Sequence, residues 1–334
     1  MPETIPSAIQ DRYADALEGE LTRWLDQRSP IGQHYDLLAY HMGWADESFQ
    51  RRSGPRGKRF RPLLCLLSCE AVGGDWTRAL PVGAAIEFLH NFSLIHDDIE
   101  DHDESRHHRP SLWKLIGEPL AINAGDAMLA LSGLAALSRH DVPEVAAEFQ
   151  KTALALTEGQ YLDMSFETRS DVTSDEYFDM ISLKTGALIT FACTAGGRLG
   201  GGSREQVEAL QTFGRHFGLA FQICDDIRGI WAAQEQTGKI AGKDIVNRKK
   251  SLPVVLALTA ATGNDRRRLL AYYVDGQDAE PADISETFEA LGIRDQVQAT
   301  LRSHLEHAIN ALGSTQLQEP FAGQLAAVSR ELVA

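Results

Sequence analysis

The chain has 334 residues, of which 43% are apolar, and carries a formal net charge of −15. Because there is no basic excess to neutralise phosphates, this composition argues against nonspecific nucleic-acid binding. An acidic protein that binds anionic ligands needs local basic patches or metal ions.

The cysteines and the N-terminus bear on the compartment. No second cysteine pair has metal-ligand spacing, so we expect reduced, mostly buried thiols in a cytoplasmic, reducing environment at Cys65, Cys69, Cys193 and Cys224. The N-terminal segment lacks a basic start and an apolar core, so no signal peptide is predicted. No apolar run reaches about 18 residues, so we expect no membrane span.

Helical periodicity dominates the sequence in chain order. It predicts helices over 8–28, 33–50, 59–72, 81–103, 120–138, 143–168, 174–199, 204–232, 250–261, 282–290, 293–311 and 317–333. Strand signals are nearly absent, and "LPVVLAL" (252–258) is better explained as a helix start. The breaks between helices are short and no repeat is visible. We therefore expect one all-α domain over 1–334.

A first acidic cluster closes the predicted helix over 81–103. Asp97, Asp98 and Asp101 follow the apolar run "FLHNFSLI". Asp97 and Asp101 share a helix face one turn apart, and like charges at that spacing destabilise an isolated helix. A solvated acidic turn is a poor explanation of Asp97 and Asp98, because they end this apolar run. His90 projects from nearly the same face as Asp97.

A second acidic cluster interrupts the apolar segment "LAFQICDDIRGIW" (219–231) with Asp225 and Asp226. Burying such charges costs several kcal/mol unless they are paired or bind metal. Carboxylate pairs suit Mg²⁺, which keeps several waters and bridges one or two carboxylates to a substrate phosphate. Two such clusters can face each other across a helical bundle. The sequence therefore predicts a site in which metal ions hold a diphosphate.

Basic residues must complete this anion site. The candidates stand in short motifs beside apolar runs: "GKRFRP" (57–62), Arg106, Lys184 in "SLKTG", Lys239 in "TGK" and Lys249 in "RKKS". Each lysine alone is more often a solvated surface charge.

Taken together, the motifs resemble those of the trans-isoprenyl diphosphate synthase (polyprenyl synthetase) family. They occur in the order "GKRFRP", "HNFSLIHDDIED", "AINAGDAML", "EGQYLD", "LKTGAL", "FQICDDIRGIW", "TGK" and "KKSLP", from about residue 40 to about residue 260. The resemblance implies an all-α helical bundle of the isoprenoid synthase type with a central active-site cavity. It also implies a homodimer that uses Mg²⁺ to condense isopentenyl diphosphate with an allylic diphosphate (dimethylallyl, geranyl or farnesyl).

The resemblance assigns roles by position. Asp97 and Asp101 would coordinate Mg²⁺ on the allylic diphosphate with Asp98 in support, and Asp225 would hold a further Mg²⁺ opposite them with Asp226 nearby, making three ions. The positions matching contacts to the allylic diphosphate are Arg106, Lys184 and Lys239. Those matching the grip on isopentenyl diphosphate are Lys58, Arg61 and His90. Further lining positions are Thr185, Gln222 and Lys249.

Two positions depart from the family pattern. Gly229 replaces the third aspartate of the second acidic motif, and His107 replaces the second of two arginines that help bind isopentenyl diphosphate, with Arg109 as a possible substitute. These departures leave two alternatives to chain elongation open. One is a terpene synthase on the same fold, and the other is a noncatalytic subunit of a heteromeric synthase.

Product length is the last expectation from the resemblance. Residues four and five positions before the first acidic motif often form the floor of the product tunnel, and here they are Ser93 and Phe92. A phenyl ring beside a small serine suggests a floor that stops at C15 to C20, and we favour C20, geranylgeranyl diphosphate.

Overall fold

The computed structural model describes residues 7–26, 31–52, 57–231 and 242–334. Its N-terminal half contains α1 (Ser7–Asp26), α2 (Gly32–His41), α3 (Phe60–Ala71), α4 (Leu80–Glu100), β1 (Ser105–Arg106), β2 (Arg109–Pro110), α5 (Leu112–Ile116), α6 (Glu118–Leu137) and α7 (Pro143–Phe166). The rest contains α8 (Ser174–Ile181), α9 (Ala187–Leu199), α10 (Arg204–Trp231), α11 (Lys243–Val246), α12 (Leu252–Ala260), α13 (Gly263–Tyr273), α14 (Pro281–Ala290), α15 (Ile293–Leu312) and α16 (Phe321–Leu332). The predicted all-α class is confirmed.

The helix predicted over 33–50 is shorter in the structure. It ends at His41 because the backbone amides of Gly43 and Trp44 fold back onto the carbonyls of Tyr40 and Ala39, at 3.0 and 2.8 Å. Such backward hydrogen bonds satisfy the last carbonyls of a helix. Tyr40 and His41, at the end of this helix, lie next to the hairpin of β1 and β2.

That hairpin is an element that the sequence did not predict. Helix α4 stops at Glu100 rather than 103, and Ser105–Arg106 pairs antiparallel with Arg109–Pro110. The two connecting residues, His107 and His108, have φ values of 50° and 60°. Two-residue loops with both φ values positive match the right-handed twist of the flanking strands. The hairpin places Arg106 next to the first acidic motif.

The helix predicted over 174–199 contains one irregular turn. Residues Ser182–Gly186 form a π-helical turn between α8 and α9. Such turns insert one extra residue into a helix and are frequent at functional sites. Lys184 and Thr185 lie on this turn, so it determines where both side chains point.

Helix α13 and the short helices α5 and α11 were also missed. Helix α13 is largely polar, and its buried side chains are confined to its second half, at Leu269, Tyr272 and Tyr273. Hydrophobic periodicity is therefore weak in its first turns. Helices α5 and α11 have 5 and 4 residues, too few for a periodic pattern.

The core is built around α4 and α10. Helix α4 packs on α3 and α6, while α10 packs on α9 and α15. One buried apolar cluster lies among α1–α7, α9, α10, α15 and α16. A second lies among α8, the C-terminal half of α10 and α11–α15. All four cysteines are free and buried, as expected.

Helix α6 is the one described helix that is long and apolar enough to cross a membrane by length and composition, with a mean hydropathy of 1.5 over its best window. Half of that window is buried inside the fold. Core helices of soluble proteins pass the same test, so α6 is weak evidence and is not taken as a span.

Candidate active site

Asp97 and Asp101 stand where α4 ends. Asp97 is half-buried on the last turn and Asp101 is exposed just beyond it, with its amide bonded to the Asp97 carbonyl at 2.9 Å. Burial raises the pKa of Asp97 to about 6, and the carboxylates of Asp101 and Glu100 add to this effect while Lys184 opposes it. The fold therefore keeps a carboxylate where its charge is unfavourable unless a cation is close.

Asp98 faces the other way and is only 1% exposed. Its two carboxylate oxygens accept hydrogen bonds from Nε of Arg106 at 2.8 and 2.9 Å. Asp98 therefore positions Arg106 and the hairpin, and it is not the carboxylate of the motif that faces solvent.

The two aspartates of the second motif also differ in their exposure to solvent. Asp225 is exposed, whereas Asp226 is 2% exposed. Asp226 accepts hydrogen bonds from the Tyr177 hydroxyl, from the Gln222 amide at 3.0 Å and from the backbone amide of Leu252 at 2.8 Å. Burial raises the pKa of Asp226 to about 7. Asp226 therefore anchors the start of α12 to α10, and Asp225 is the residue available to a ligand.

Lys184 and Lys249 link the two acidic motifs. Nζ of Lys184 lies 2.5 Å from Oδ2 of Asp163, and its positive charge partly offsets the rise in the pKa of Asp97. The pKa of Lys249 is raised mainly by the negative charge of Asp163. Further carboxylates, among them Asp225, add to this effect. A cavity is lined by Asp163, Lys184, Thr185, Gln222, Asp226 and Lys249, among others. Both lysines thus border one cavity, and their roles in substrate binding remain predictions.

Asp163 is a site residue that the sequence analysis did not assign, although "EGQYLD" was part of the resemblance. Burial alone would raise its pKa, but the ammonium groups of Lys249 and Lys184 hold it below the usual value. Asp163 therefore stays charged, holds Lys184 by a direct contact and interacts electrostatically with Lys249. Lys250, next to Lys249, instead donates to the carbonyls of Glu167 and Tyr273, both at 2.9 Å.

The π-helical turn approaches α7 closely at Gly159. A Cβ at position 159 would lie 2.3 Å from the backbone nitrogen of Lys184, which leaves no room for a side chain. On the other side of the turn, the Thr185 hydroxyl donates to Oε1 of Gln222 at 2.7 Å. Thr185, Gln222 and Asp226 thus form a chain of hydrogen bonds along the cavity wall.

Two of the residues expected to bind isopentenyl diphosphate, Arg61 and His90, lie next to each other. Nη1 of Arg61 lies 3.1 Å from Nε2 of His90. Burial and then the charge of Arg61 lower the pKa of His90 well below its usual value, so this imidazole is neutral. Lys58 is exposed and borders a small pocket lined by Tyr13 and Leu17 of α1.

The contacts of the hairpin show how Arg109 and His41, two basic residues near His107, are held. Arg109 does not fill the place of the missing second arginine, because its guanidinium donates to the carbonyls of Tyr40 at 3.3 Å and Ala45 at 2.6 Å. His41, which the sequence analysis missed, lies near Arg106 and His107. Burial and then these two residues lower its pKa to about 3, and its Nε2 atom is buried without a hydrogen-bond partner.

The residues of the expected tunnel floor differ in their surroundings. Phe92 is 7% exposed, with its ring centroid 4.7 Å from that of His96. The Ser93 hydroxyl donates to the carbonyl of His90 at 2.9 Å. Both residues remain predictions as tunnel lining. Lys239, expected to contact the allylic diphosphate, lies outside the described residues.

The donor set suits a hard divalent cation. Asp97, Asp101 and Asp225 offer only carboxylate oxygens. Within the described parts of the chain, no three His, Cys, Asp or Glu side chains are close enough together to hold a metal by themselves. Mg²⁺ prefers such oxygen ligands and completes its shell with water and substrate phosphate.

The fold and site define an all-α helical protein with two aspartate motifs, each of which combines a buried, hydrogen-bonded aspartate with a more exposed one. The sequence profile of the polyprenyl synthetase family matches residues 42–291. The chain is 39% identical over 306 residues to a (2E,6E)-farnesyl diphosphate synthase of Mycobacterium bovis, covering 89% of this chain and 85% of the relative. It is 45% identical over 255 residues to a short chain isoprenyl diphosphate synthase of Methanothermobacter thermautotrophicus, covering 75% and 78%.

A solved structure agrees with these relatives. The polyprenyl synthetase from Streptomyces coelicolor A3(2) superposes with a TM-score of 0.90 at 33% identity, covering 98% of this chain and 99% of that one. The chain therefore belongs to the polyprenyl synthetase family. The predicted family, the isoprenoid synthase fold and the trans-prenyltransferase class are confirmed. None of these relatives supports the terpene synthase or noncatalytic-subunit alternative.

Proposed function

We propose that this enzyme elongates an allylic diphosphate (dimethylallyl, geranyl or farnesyl) with isopentenyl diphosphate to give an all-trans prenyl diphosphate of C15 to C20, mainly C20. One observation carries the proposal: Lys184 and Lys249 border one cavity, and their charges interact with Asp97 of the first acidic motif and Asp225 of the second. Negative metal-binding groups and fixed cations are both needed to hold and ionise a diphosphate.

The cofactor is Mg²⁺, with three ions when substrate is bound. Asp97 and Asp101 would hold ions from the end of α4, and Asp225 would hold one from α10. The raised pKa of Asp97, caused first by its burial, supports this, because a nearby cation would stabilise its charged form. When bound, the ions stabilise the negative charge that develops on the departing pyrophosphate.

The basic residues of the site would divide between the two substrates. Arg106, positioned by Asp98, and Lys184, positioned by Asp163, would bind the allylic diphosphate, and Lys239 is assigned to it from sequence alone. Arg61, His90, Lys58 and His107 would bind the diphosphate of isopentenyl diphosphate.

The reaction then needs no protein nucleophile. The C–O bond of the allylic diphosphate breaks, and pyrophosphate leaves with the electron pair. The double bond of isopentenyl diphosphate attacks the allylic cation, forming the new C–C bond. The proton lost from the adjacent carbon goes to an oxygen of the departing pyrophosphate. Lys184 and Arg106 are the protein cations assigned to stabilise that pyrophosphate.

We also propose a homodimer. Large apolar side chains are exposed on the neighbouring helices α6 and α7: Leu120, Ile122, Leu134, Leu137, Leu154 and Met164, with exposed fractions of 42% to 60%. Contiguous apolar surface on a soluble protein marks an interaction site. A second copy is the occupant that the family resemblance implies.

The remaining proposals concern organisation and compartment. The two buried clusters are both contacted by Leu301, and α10 contributes to both. We therefore propose that 1–334 acts as one domain around the cavity. Four free, buried thiols agree with a reducing compartment, and we propose a cytoplasmic location.

One assay tests the function. The enzyme is incubated with Mg²⁺ and dimethylallyl, geranyl or farnesyl diphosphate, with and without isopentenyl diphosphate, and the products are identified. We expect C15 to C20 prenyl diphosphates that form only when isopentenyl diphosphate is present. Cyclic or hydroxylated products formed without it would support the terpene synthase alternative, and no turnover would support the noncatalytic subunit.

A further inference from the structure

Gly229 stands where the second acidic motif departs from its family pattern. It lies one turn after Asp225 on α10, so a side chain at 229 would project from the same helix face. A Cβ built at this position would lie 2.0 Å from Oδ2 and 2.9 Å from Oδ1 of Asp244. The carboxylate of Asp244 therefore occupies the space where a side chain at 229 would begin.

Asp244 reaches this space from a different element. It lies on α11, which packs against α10, and it is half-buried. Its carbonyl accepts the backbone amide of Lys249 at 2.9 Å, which ties the turn after α11 to the lysine of the site. Its charge contributes to the raised pKa values of both Asp226 and Lys249. Asp244 thus belongs to the same electrostatic cluster as Asp225.

We propose that Asp244 supplies the third carboxylate of the second acidic motif, in the space that the lack of a side chain at Gly229 leaves open. The ligand class is a divalent cation bound together with a diphosphate. The inference deepens the proposed function and rests on it. It explains why the chain needs no aspartate at 229: Asp244 on α11 places a carboxylate next to that position.

The arrangement has a specific consequence for substitutions. Any side chain at 229 must displace the Asp244 carboxylate, because real Cβ atoms are not found so close to another heavy atom. Gly229→Asp alone therefore gives two carboxylates competing for one space. Removing the Asp244 side chain at the same time frees that space for a carboxylate carried by α10.

The test measures cation binding directly. Mn²⁺ affinity in the presence of inorganic pyrophosphate is determined by electron paramagnetic resonance for wild type, Asp244→Ala, Gly229→Asp and the double variant. We expect each single variant to weaken Mn²⁺ binding by about 10-fold or more, a typical loss when a group supporting a metal site is removed. The double variant should recover to within about 3-fold of wild type, by the same reasoning.

Controls separate this role from folding. Asp265→Asn, at an exposed position on α13, should leave Mn²⁺ binding unchanged. Thermal unfolding without metal checks that each variant folds, and Asp244→Asn replaces the alanine variant if that one does not. Wild-type Mn²⁺ affinity in Asp244→Ala or Asp244→Asn, or a double variant no better than Asp244→Ala, would overturn the inference.

The same preparations distinguish this inference from the proposed function. If wild type elongates allylic diphosphates but Asp244 variants bind Mn²⁺ normally, only the role of Asp244 is wrong. If wild type binds Mn²⁺ with pyrophosphate but elongates no allylic diphosphate, the proposed function is wrong, and the recovery in the double variant still decides the role of Asp244.

Discussion

Arg106 forms a bidentate ion pair with the buried Asp98, with Nε 2.8 and 2.9 Å from the two carboxylate oxygens. The pair joins the end of α4 to the hairpin that follows it. It leaves Asp97 and Asp101 as the members of the first motif that can face a cation. Neighbouring aspartates of one motif therefore have different tasks.

The first prediction concerns metal dependence. Asp97→Asn or Asp225→Asn should lower kcat by orders of magnitude, and chelation of divalent metal should abolish turnover, because each metal contact contributes several kcal/mol to the transition state. Steady-state kinetics with isopentenyl diphosphate in saturating Mg²⁺ measures the effect. Near-normal turnover in either variant would contradict the proposed ligand set.

Asp98→Asn is the matched control for that experiment. Removing one partner of a buried ion pair costs about 3–5 kcal/mol of folding stability. We expect a lower unfolding free energy in urea for this variant but not for Asp97→Asn, whose carboxylate is disfavoured by burial in the folded state. Equal stability of the two variants would mean that the ion pair with Arg106 is unimportant.

The second prediction concerns His107. Since Arg109 is held by backbone carbonyls, His107→Arg should supply the missing guanidinium and lower KM for isopentenyl diphosphate by about 10-fold, the scale of one charge-assisted hydrogen bond. His108→Arg, in the same turn and also at positive φ, is the control and should not change KM. An unchanged KM in His107→Arg would indicate that other residues, such as His41, bind the diphosphate group of isopentenyl diphosphate.

The third prediction concerns product length. Phe92→Ala should open the tunnel floor and shift products longer by one or more C5 units, as seen by chromatography of dephosphorylated products. Truncating a buried Phe costs about 3–5 kcal/mol, so only folded protein is compared. Phe88→Ala, one turn earlier and fully buried, has the same cost without the proposed role. If Phe92→Ala keeps the wild-type distribution, the C20 assignment loses its basis.

The fourth prediction concerns assembly. Leu134→Asp and Leu154→Asp place charges on the exposed apolar faces of α6 and α7, and both variants should shift the protein from dimer to monomer in light scattering. Burying an unpaired carboxylate in an interface is strongly unfavourable. Ile31→Asp, at a residue that is 68% exposed elsewhere, should leave the dimer intact. A dimer in all three variants would exclude this surface as the interface.

The fifth prediction concerns acid stability and the histidine cluster between α10 and α15. Burial, followed by the charges of Arg215, His304 and His307, lowers the pKa of His216 to about 4. An unfolded histidine has a pKa of about 6.5, so between about pH 6.5 and pH 4 the unfolded chain binds more protons. His216 therefore makes the folded state lose stability as the pH falls through this window.

The measurement compares wild type with His216→Gln in urea at pH 7 and pH 5. The variant should lose less stability on acidification than wild type. Comparison with the variant is needed because the raised pKa values of Asp97 and Asp226 act in the opposite direction, stabilising the fold as the pH falls. Equal losses in both proteins would show that His216 does not titrate on unfolding.

The sequence predicted what is local and periodic. Long helices and the two acidic motifs follow from the spacing of residues on one chain segment. What it missed depends on contacts between distant segments. Nothing near Gly229 indicates that Asp244 lies against it, and Arg109 could be separated from the site only by its bonds to Tyr40 and Ala45.

The π-helical turn at Ser182–Gly186 constrains the number of residues that can connect α8 to α9. Deleting one residue there would let α8 and α9 merge into a regular helix. Everything before the deletion would then turn by about 100° relative to everything after it, since an α-helix has about 3.6 residues per turn. Tyr177, which donates to Asp226, and Thr185, which donates to Gln222, could not both keep their partners on α10. Apart from Lys184 and Thr185, natural variants of this enzyme should therefore accept substitutions in the turn far more readily than insertions or deletions.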